Sequence, residues 1–220
     1  MIKIIDYRAG NAPSVLNAVK HLGYDAHYAR CAQDLDDAAQ IILPGVGSAG
    51  ATMDSLREMG MISALEDAVL GRGVDFLGIC VGMQILFEHS AEDDADCLGW
   101  LKGRVVKFGD DSSAFESKDG KRKQNDTSET ANKIRVPQMG WNKVEFVKKT
   151  AVNAQDDYFY FVNSYYAKPA DITDLWASAD YHGTFTAAVA RNNIFATQFH
   201  VEKSGEAGLR LLDGFLRLGG

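Results

Sequence analysis

The sequence has no apolar run near the ~20 residues that a helical membrane crossing needs, which argues against a helical membrane protein. Its opening stretch, MIKIIDYRAGN, turns polar at Asp6 and lacks the longer apolar segment and small-residue cleavage site of a secretory signal. A cytoplasmic protein is expected. Cysteine is scarce and odd in number. Cys31, Cys80 and Cys97 are scattered, form no disulfide framework and include no CxxC pair. The five histidines, at 21, 27, 89, 182 and 200, contain no i, i+4 pair of the kind that holds zinc on a helix. No metal site is expected. A sustained basic stripe is also missing and the net charge is −7, so nucleic acid and anionic membranes are poor partners.

What remains is a chain of 220 residues with an ordinary apolar fraction, expected to form a single domain over 1–220. Its first half alternates apolar runs with amphipathic stretches. IKII (2–5), DAHYA (25–29), AQIIL (39–43, stopped by Pro44-Gly45) and VDFLGI (74–79) read as strands. Helices are expected from about Ser14 to Leu22, over 50–70 with a break near Gly60, and over 81–89. This rhythm predicts an α/β fold with a central, mostly parallel sheet flanked by helices. In the second half GRVVKF, NKVEFV, YFYFV, DLWASA, FTAAVA and NIFATQF are short strands between turns, read as added antiparallel or mixed strands, and a helix closes the chain over about 204–218. Residues 109–133 are polar and rich in charge and serine, as expected of a long mobile loop insertion.

Gly78-Ile79-Cys80-Val81-Gly82 has the form G-x-C-x-G between a predicted strand and a predicted helix. It is the thiol counterpart of the nucleophile elbow. A sharp strand-to-helix turn strains the nucleophile's backbone and leaves no room for side chains two residues away on either side. It lifts the thiol to the carboxyl end of the sheet, at a helix start that favours thiolate. The Val81 N–H can then help hold an oxyanion. The competing reading, a buried structural cysteine, fits Cys31 and Cys97, which lack this context.

A cysteine nucleophile needs a base and a group that orients it. In NIFATQFHVEKSGEAG (193–208), His200 and Glu202 are two residues apart at a strand end and share a face if the extended conformation persists. The loop Pro44-Gly45-Val46-Gly47-Ser48-Ala49-Gly50 contains G-x-G-x-x-G, but it follows the third strand and begins with proline, which speaks against dinucleotide binding. Its backbone N–H groups suit the other half of an oxyanion hole, with a plain turn and helix start as the alternative.

Taken together, IIDYRAGN (4–11), LPGVGS (43–48), GICVGMQILFE (78–88), VPQMGWN (136–142), YFVNSYY (160–166) and ATQFHVEKS (196–204) resemble class I (triad) glutamine amidotransferases. Within that family they are most similar to the glutaminase subunits of imidazole glycerol phosphate synthase, which serve histidine biosynthesis. The resemblance spans nearly the whole chain outside 109–133. It implies glutamine hydrolysis through a γ-glutamyl thioester, with Cys80 as nucleophile, His200 as proton shuttle and Glu202 as its orienter. It implies that Gly45, Val46 and Gly47 complete the oxyanion hole, that Gln84 touches substrate, and that Ser164 and Tyr165 bind the amino-acid end of glutamine. Met139, Gly140, Trp141, Asn142, Tyr160 and Lys203 would lie near the interface with a (β/α)8 cyclase. That partner would use the ammonia to make imidazole glycerol phosphate and an aminoimidazole carboxamide ribotide. No cofactor is implied. Trp141 and Tyr160 also fit plain core aromatics, and Gln84 a solvent-facing helix residue.

Two residues depart from the family pattern: Val201 replaces the proline after the histidine, and Asn163 replaces a histidine. Rival readings are a paralogous subunit feeding another ammonia acceptor, a cysteine peptidase or γ-glutamyl hydrolase, and a catalytically silent partner-binding subunit. For the coupled glutaminase, the glycine-flanked Val46–Gly47 peptide is expected to be turned away until the partner binds its nucleotide.

Overall fold

Strand β1 (Ile2–Ile5), helix α1 (Ala12–His21), β2 (Ala26–Ala29), β3 (Gln40–Gly45), α2 (Ala49–Glu58), α3 (Met61–Glu66) and β4 (Asp75–Cys80) open the chain. The computed structural model describes residues 1–7, 11–110 and 134–219. Apart from the turn at Gly109 and Asp110, the loop expected at 109–133 lies outside these residues. After β4 come a single-turn helix α4 (Val81–Gln84), β5 (His89–Ser90), β6 (Ala95–Asp96), β7 (Gly103–Lys107), β8 (Gln138–Phe146), β9 (Asp157–Asn163) and β10 (Tyr165–Pro169). The chain ends with β11 (Leu175–Asp180), β12 (Thr184–Arg191), β13 (Ile194–Thr197) and α5 (Gly205–Leu216).

The main sheet runs β2-β1-β3-β4-β13-β12-β11-β8-β9. Its first five strands are mutually parallel and the rest antiparallel. This is the mixed α/β sheet that the two halves of the sequence predict. The consequential step is the last strand. β13 returns from the antiparallel half and lies parallel to β4, with Thr197 opposite Ile79. The segment after β13 and the elbow after β4 therefore emerge side by side at the carboxyl edge, where α/β sheets place their ligands. Beneath them Phe76, Leu77, Ile79, Phe199 and Phe215 are fully buried in one continuous apolar core.

Three expectations are corrected. β3 does not stop before Pro44-Gly45, because Pro44 pairs with Ile79 and Gly45 with Cys80. The β1 ladder has already ended at Ile42, so Pro44 has one strand neighbour and its missing N–H is tolerated. The helix expected over 81–89 lasts one turn, because Leu98, Gly99 and Leu101 donate to the Ile85, Phe87 and Leu86 carbonyls that a longer helix would use. His89 accordingly sits in β5. Finally, β10, β7, β5 and β6 form a separate four-stranded sheet. No helix among the described residues is long and apolar enough to cross a membrane.

Candidate active site

Cys80 sits between β4 and α4 with φ 56° and ψ −109°, a conformation that L residues avoid and that is kept only where the surroundings impose it. The surroundings are three glycines. A Cβ on Gly78 would strike the Gly82 backbone, one on Gly82 the Leu43 carbonyl, and one on Gly45 the Gly82 nitrogen and Val81. The elbow thus closes within itself and against the neighbouring strand β3. Gly45, expected to shape the glycine loop, is the residue that lets the loop approach the elbow. Gly47 follows with φ 98°, and the Ser48 side chain accepts from the Ala51 N–H to cap α2.

The segment after β13 brings the base. His200 is 2% exposed, and its Nδ1 lies 2.8 Å from Glu202 Oε1. A one-turn 3₁₀ helix over Val201–Lys203 makes this possible. Ser204 anchors it by donating to the His200 carbonyl (2.6 Å) and accepting from the Tyr160 N–H (3.0 Å). Val201, where the family has proline, is the first residue of that turn, a position that proline tolerates but the turn does not require. Burial disfavours charge on His200, but its contacts with Cys80 and Glu202 outweigh this and raise it to about 10. Glu202 is likewise opposed by burial, yet His200 and Asn11 hold it below the usual carboxylate range.

Asn11 is a site residue that the sequence reading did not single out. Its Nδ2 donates to Glu202 Oε1 at 2.8 Å and lies 3.5 Å from His200 Nδ1. It fixes the carboxylate from a distant part of the chain, so no local spacing announces it. Tyr7 packs under the loop near Thr52, the Val46 backbone and Cys80, and burial raises its phenol.

These groups face a cleft of about 290 Å³. Val46, Gly47, Cys80, Val81, Gln84, Ser164, Tyr165 and His200 line it, whereas Glu202, behind His200, and Gly45, against the elbow, do not. Gln84 is buried, against the solvent-facing alternative, and its Oε1 has no partner among the described residues. Glu92, also missed, lines the same cleft and accepts from the Ala49 N–H at 3.2 Å, and burial raises its carboxyl. Asn163 lines it too, with Nδ2 donating to the Tyr165 carbonyl at 3.0 Å and Oδ1 without a partner among the described residues. Lys203 reaches the same cleft.

Of the other expected interface residues, Met139 and Trp141 are 67% and 57% exposed on β8, which excludes a core role for Trp141. Tyr160, on the adjacent strand, meets Trp141 edge-on at 6.0 Å and is half-buried. Gly140 has φ 133°, and Asn142 donates to the Asp180 carbonyl. No group of residues suited to a metal ion occurs among the described residues.

The family model for "Glutamine amidotransferase class-I" matches residues 3–217. The chain belongs to the class I glutamine amidotransferases. Among relatives of this amidotransferase, the "Imidazole glycerol phosphate synthase subunit HisH" of Leptospira interrogans is 40% identical, covering 99% of this chain and 100% of that protein. Subunit HisH 1 of Campylobacter jejuni is 39% identical and HisH 2 of Pseudomonas aeruginosa 38%, each over 99% of this chain and 100% of the relative. A crystal structure of a glutamine amidotransferase shares the fold at TM-score 0.72 and 18% identity, covering 100% of this chain and 98% of that one. PurLQS from Thermotoga maritima does so at TM-score 0.71 and 18% identity, over 99% and 97%.

Proposed function

We propose that this amidotransferase is the glutaminase subunit of an imidazole glycerol phosphate synthase. It would hydrolyse L-glutamine to glutamate and pass the ammonia to a (β/α)8 cyclase in the histidine pathway. The observation that carries the chemistry is the convergence, in one cleft, of a strained Cys80 and a buried His200 held by Glu202. The likeness to the HisH subunits along their full length supports the pathway. His200 touches both Cys80 and Glu202, and against burial these contacts raise it to about 10, which suits it to take and hold the proton of the attacking thiol.

In this reading the Cys80 sulfur attacks the side-chain carbonyl of glutamine. The charge on oxygen falls toward the Val81 N–H and the Val46–Gly47 peptide. His200 gives its proton to the departing ammonia, leaving the thioester, and then takes one from the attacking water. Glu202, fixed by Asn11, holds the imidazole through both steps. Glu92 suits the substrate's α-ammonium, with Gln84, Ser164 and Tyr165 beside it. Met139 and Trp141, large and exposed, fit the cyclase side.

The test is transfer of heavy nitrogen. Glutamine labelled at the side-chain amide is supplied to this chain, a cyclase of the family and its nucleotide substrate. Label in the imidazole glycerol phosphate ring supports the reading. Glutamate release without ring label points to another acceptor.

A further inference from the structure

Gln198 is fully buried and has no part in the mechanism above, yet it touches the nucleophile. Thr197 pairs with Ile79, so the next residues along β13 and β4, Gln198 and Cys80, emerge beside one another. The Gln198 N–H donates to the Ala187 carbonyl at 2.8 Å, which fixes its main chain. Its side-chain Nε2 lies 3.7 Å from Cys80 Sγ, within range of an N–H···S bond. Its Oε1 accepts from Gln84 Nε2 at 3.1 Å.

The direction of this chain of amides follows from its far end. Gln84 Nε2 also faces the Tyr165 carbonyl at 3.1 Å, and a backbone carbonyl only accepts. Gln84 must therefore point its nitrogen toward Tyr165 and Gln198. The Gln198 oxygen then has to face Gln84, and its amide N–H the sulfur. A flip of either amide would set two acceptors or two donors against each other at a buried site, at a cost of roughly 1–3 kcal/mol.

We propose that Gln198 is a catalytic residue of the glutaminase: its amide N–H binds the Cys80 sulfur while that sulfur carries negative charge, and Gln84 is the positioning residue that aims it. This rests on the reading of Cys80 as the nucleophile. The amide neither gains nor loses a proton. It acts where the electron pair sits on sulfur, before the S–C bond forms with the glutamine carbonyl carbon and again when that bond breaks and the pair returns to sulfur as glutamate leaves. His200 handles the protons and Gln198 the charge. Gln84 then has two tasks: it lines the substrate cleft, and its Nε2 sets the thiol's hydrogen-bond donor.

The test uses the isolated chain and iodoacetamide, with Cys80 and the exposed Cys31 quantified by peptide mass spectrometry in the same sample. Gln198→Met keeps the length and a weak acceptor for Gln84 but removes the donor. Without the donor the charge on sulfur is less stabilised, and Cys80 alkylation is expected about three- to fivefold slower relative to Cys31. Gln198→Glu still accepts from Gln84 but turns an oxygen toward sulfur, and alkylation slows by more than about tenfold. With a cyclase and its ligand present, kcat for glutamine falls about fivefold or more in both variants and KM stays within about twofold. A merely structural residue gives the opposite sign, because a loosened pocket exposes the thiol and speeds its alkylation. Cys80 alkylation unchanged or faster in Gln198→Met overturns the proposal, whether or not Gln198→Glu folds. Wild-type protein that retains glutaminase turnover after Cys80 is fully alkylated would instead sink the reading on which it rests.

Discussion

At the scale of the residue, the site is a set of buried polar groups that hold one another in place. Glu202 depends on His200 and Asn11, and His200 on Glu202 and Cys80. The carboxyl of Glu202 is held below the 4.5 of a free glutamate, so the native state binds fewer protons than the unfolded chain around that pH. Its contribution to stability is fully present above about pH 5 and is lost as pH falls through its depressed value. Glu202→Gln is therefore expected to melt below wild type at pH 7, with the difference narrowing as pH falls below 4.5, as read by thermal unfolding over an acid pH series. The i, i+2 alternation singled out His200 and Glu202, although the chain does not stay extended between them but turns through the 3₁₀ helix over Val201–Lys203. The same alternation, counted back by two, reaches Gln198, which the sequence reading passed over. Asn11 and Glu92 were not legible, because their partners lie on segments that only the folded sheet brings near.

At the scale of the element, the elbow is closely packed. Leu43, Gly45, Gly78 and Gly82 pack backbone against backbone across β3, β4 and α4. An added methyl at Gly82 overlaps the Leu43 carbonyl, which belongs to the sheet and cannot move aside. Gly82→Ala should thus destabilise by roughly 2–4 kcal/mol. Denaturant unfolding with an unchanged m-value and a lower midpoint would show it, and a midpoint matching wild type would remove the close-packing argument. The parallel first half of the sheet was readable from its apolar runs, as were the glycines of the elbow. The short α4 was not, since an apolar run cannot reveal that Leu98, Gly99 and Leu101 will take the helix's carbonyls. Nor could single strands report their sheet: among the described residues β5, β6, β7 and β10 pair only with one another.

At the scale of the whole molecule, β13 beside β4 gives the site its location, and the β8–β9 face gives the chain a surface to present. Met139, Trp141 and Tyr158 are large, apolar and exposed on these two strands. In the free chain Trp141 stabilises little, since its main ring contact is the half-buried Tyr160. Trp141→Ala is expected to change stability by no more than about 0.5 kcal/mol. At the centre of an interface with the cyclase it would cost about 2 kcal/mol or more of binding. Calorimetric titration of the variant against the cyclase, beside a melting curve, separates the two effects. The most direct measurement of the proposed function is glutamate release from glutamine by the purified chain alone, with a cyclase, and with cyclase plus its nucleotide ligand, using Cys80→Ala as control. Strong release only with partner and ligand, abolished in Cys80→Ala, is the expected result. No release under any of the three conditions, or equal release from Cys80→Ala, would contradict a coupled cysteine glutaminase.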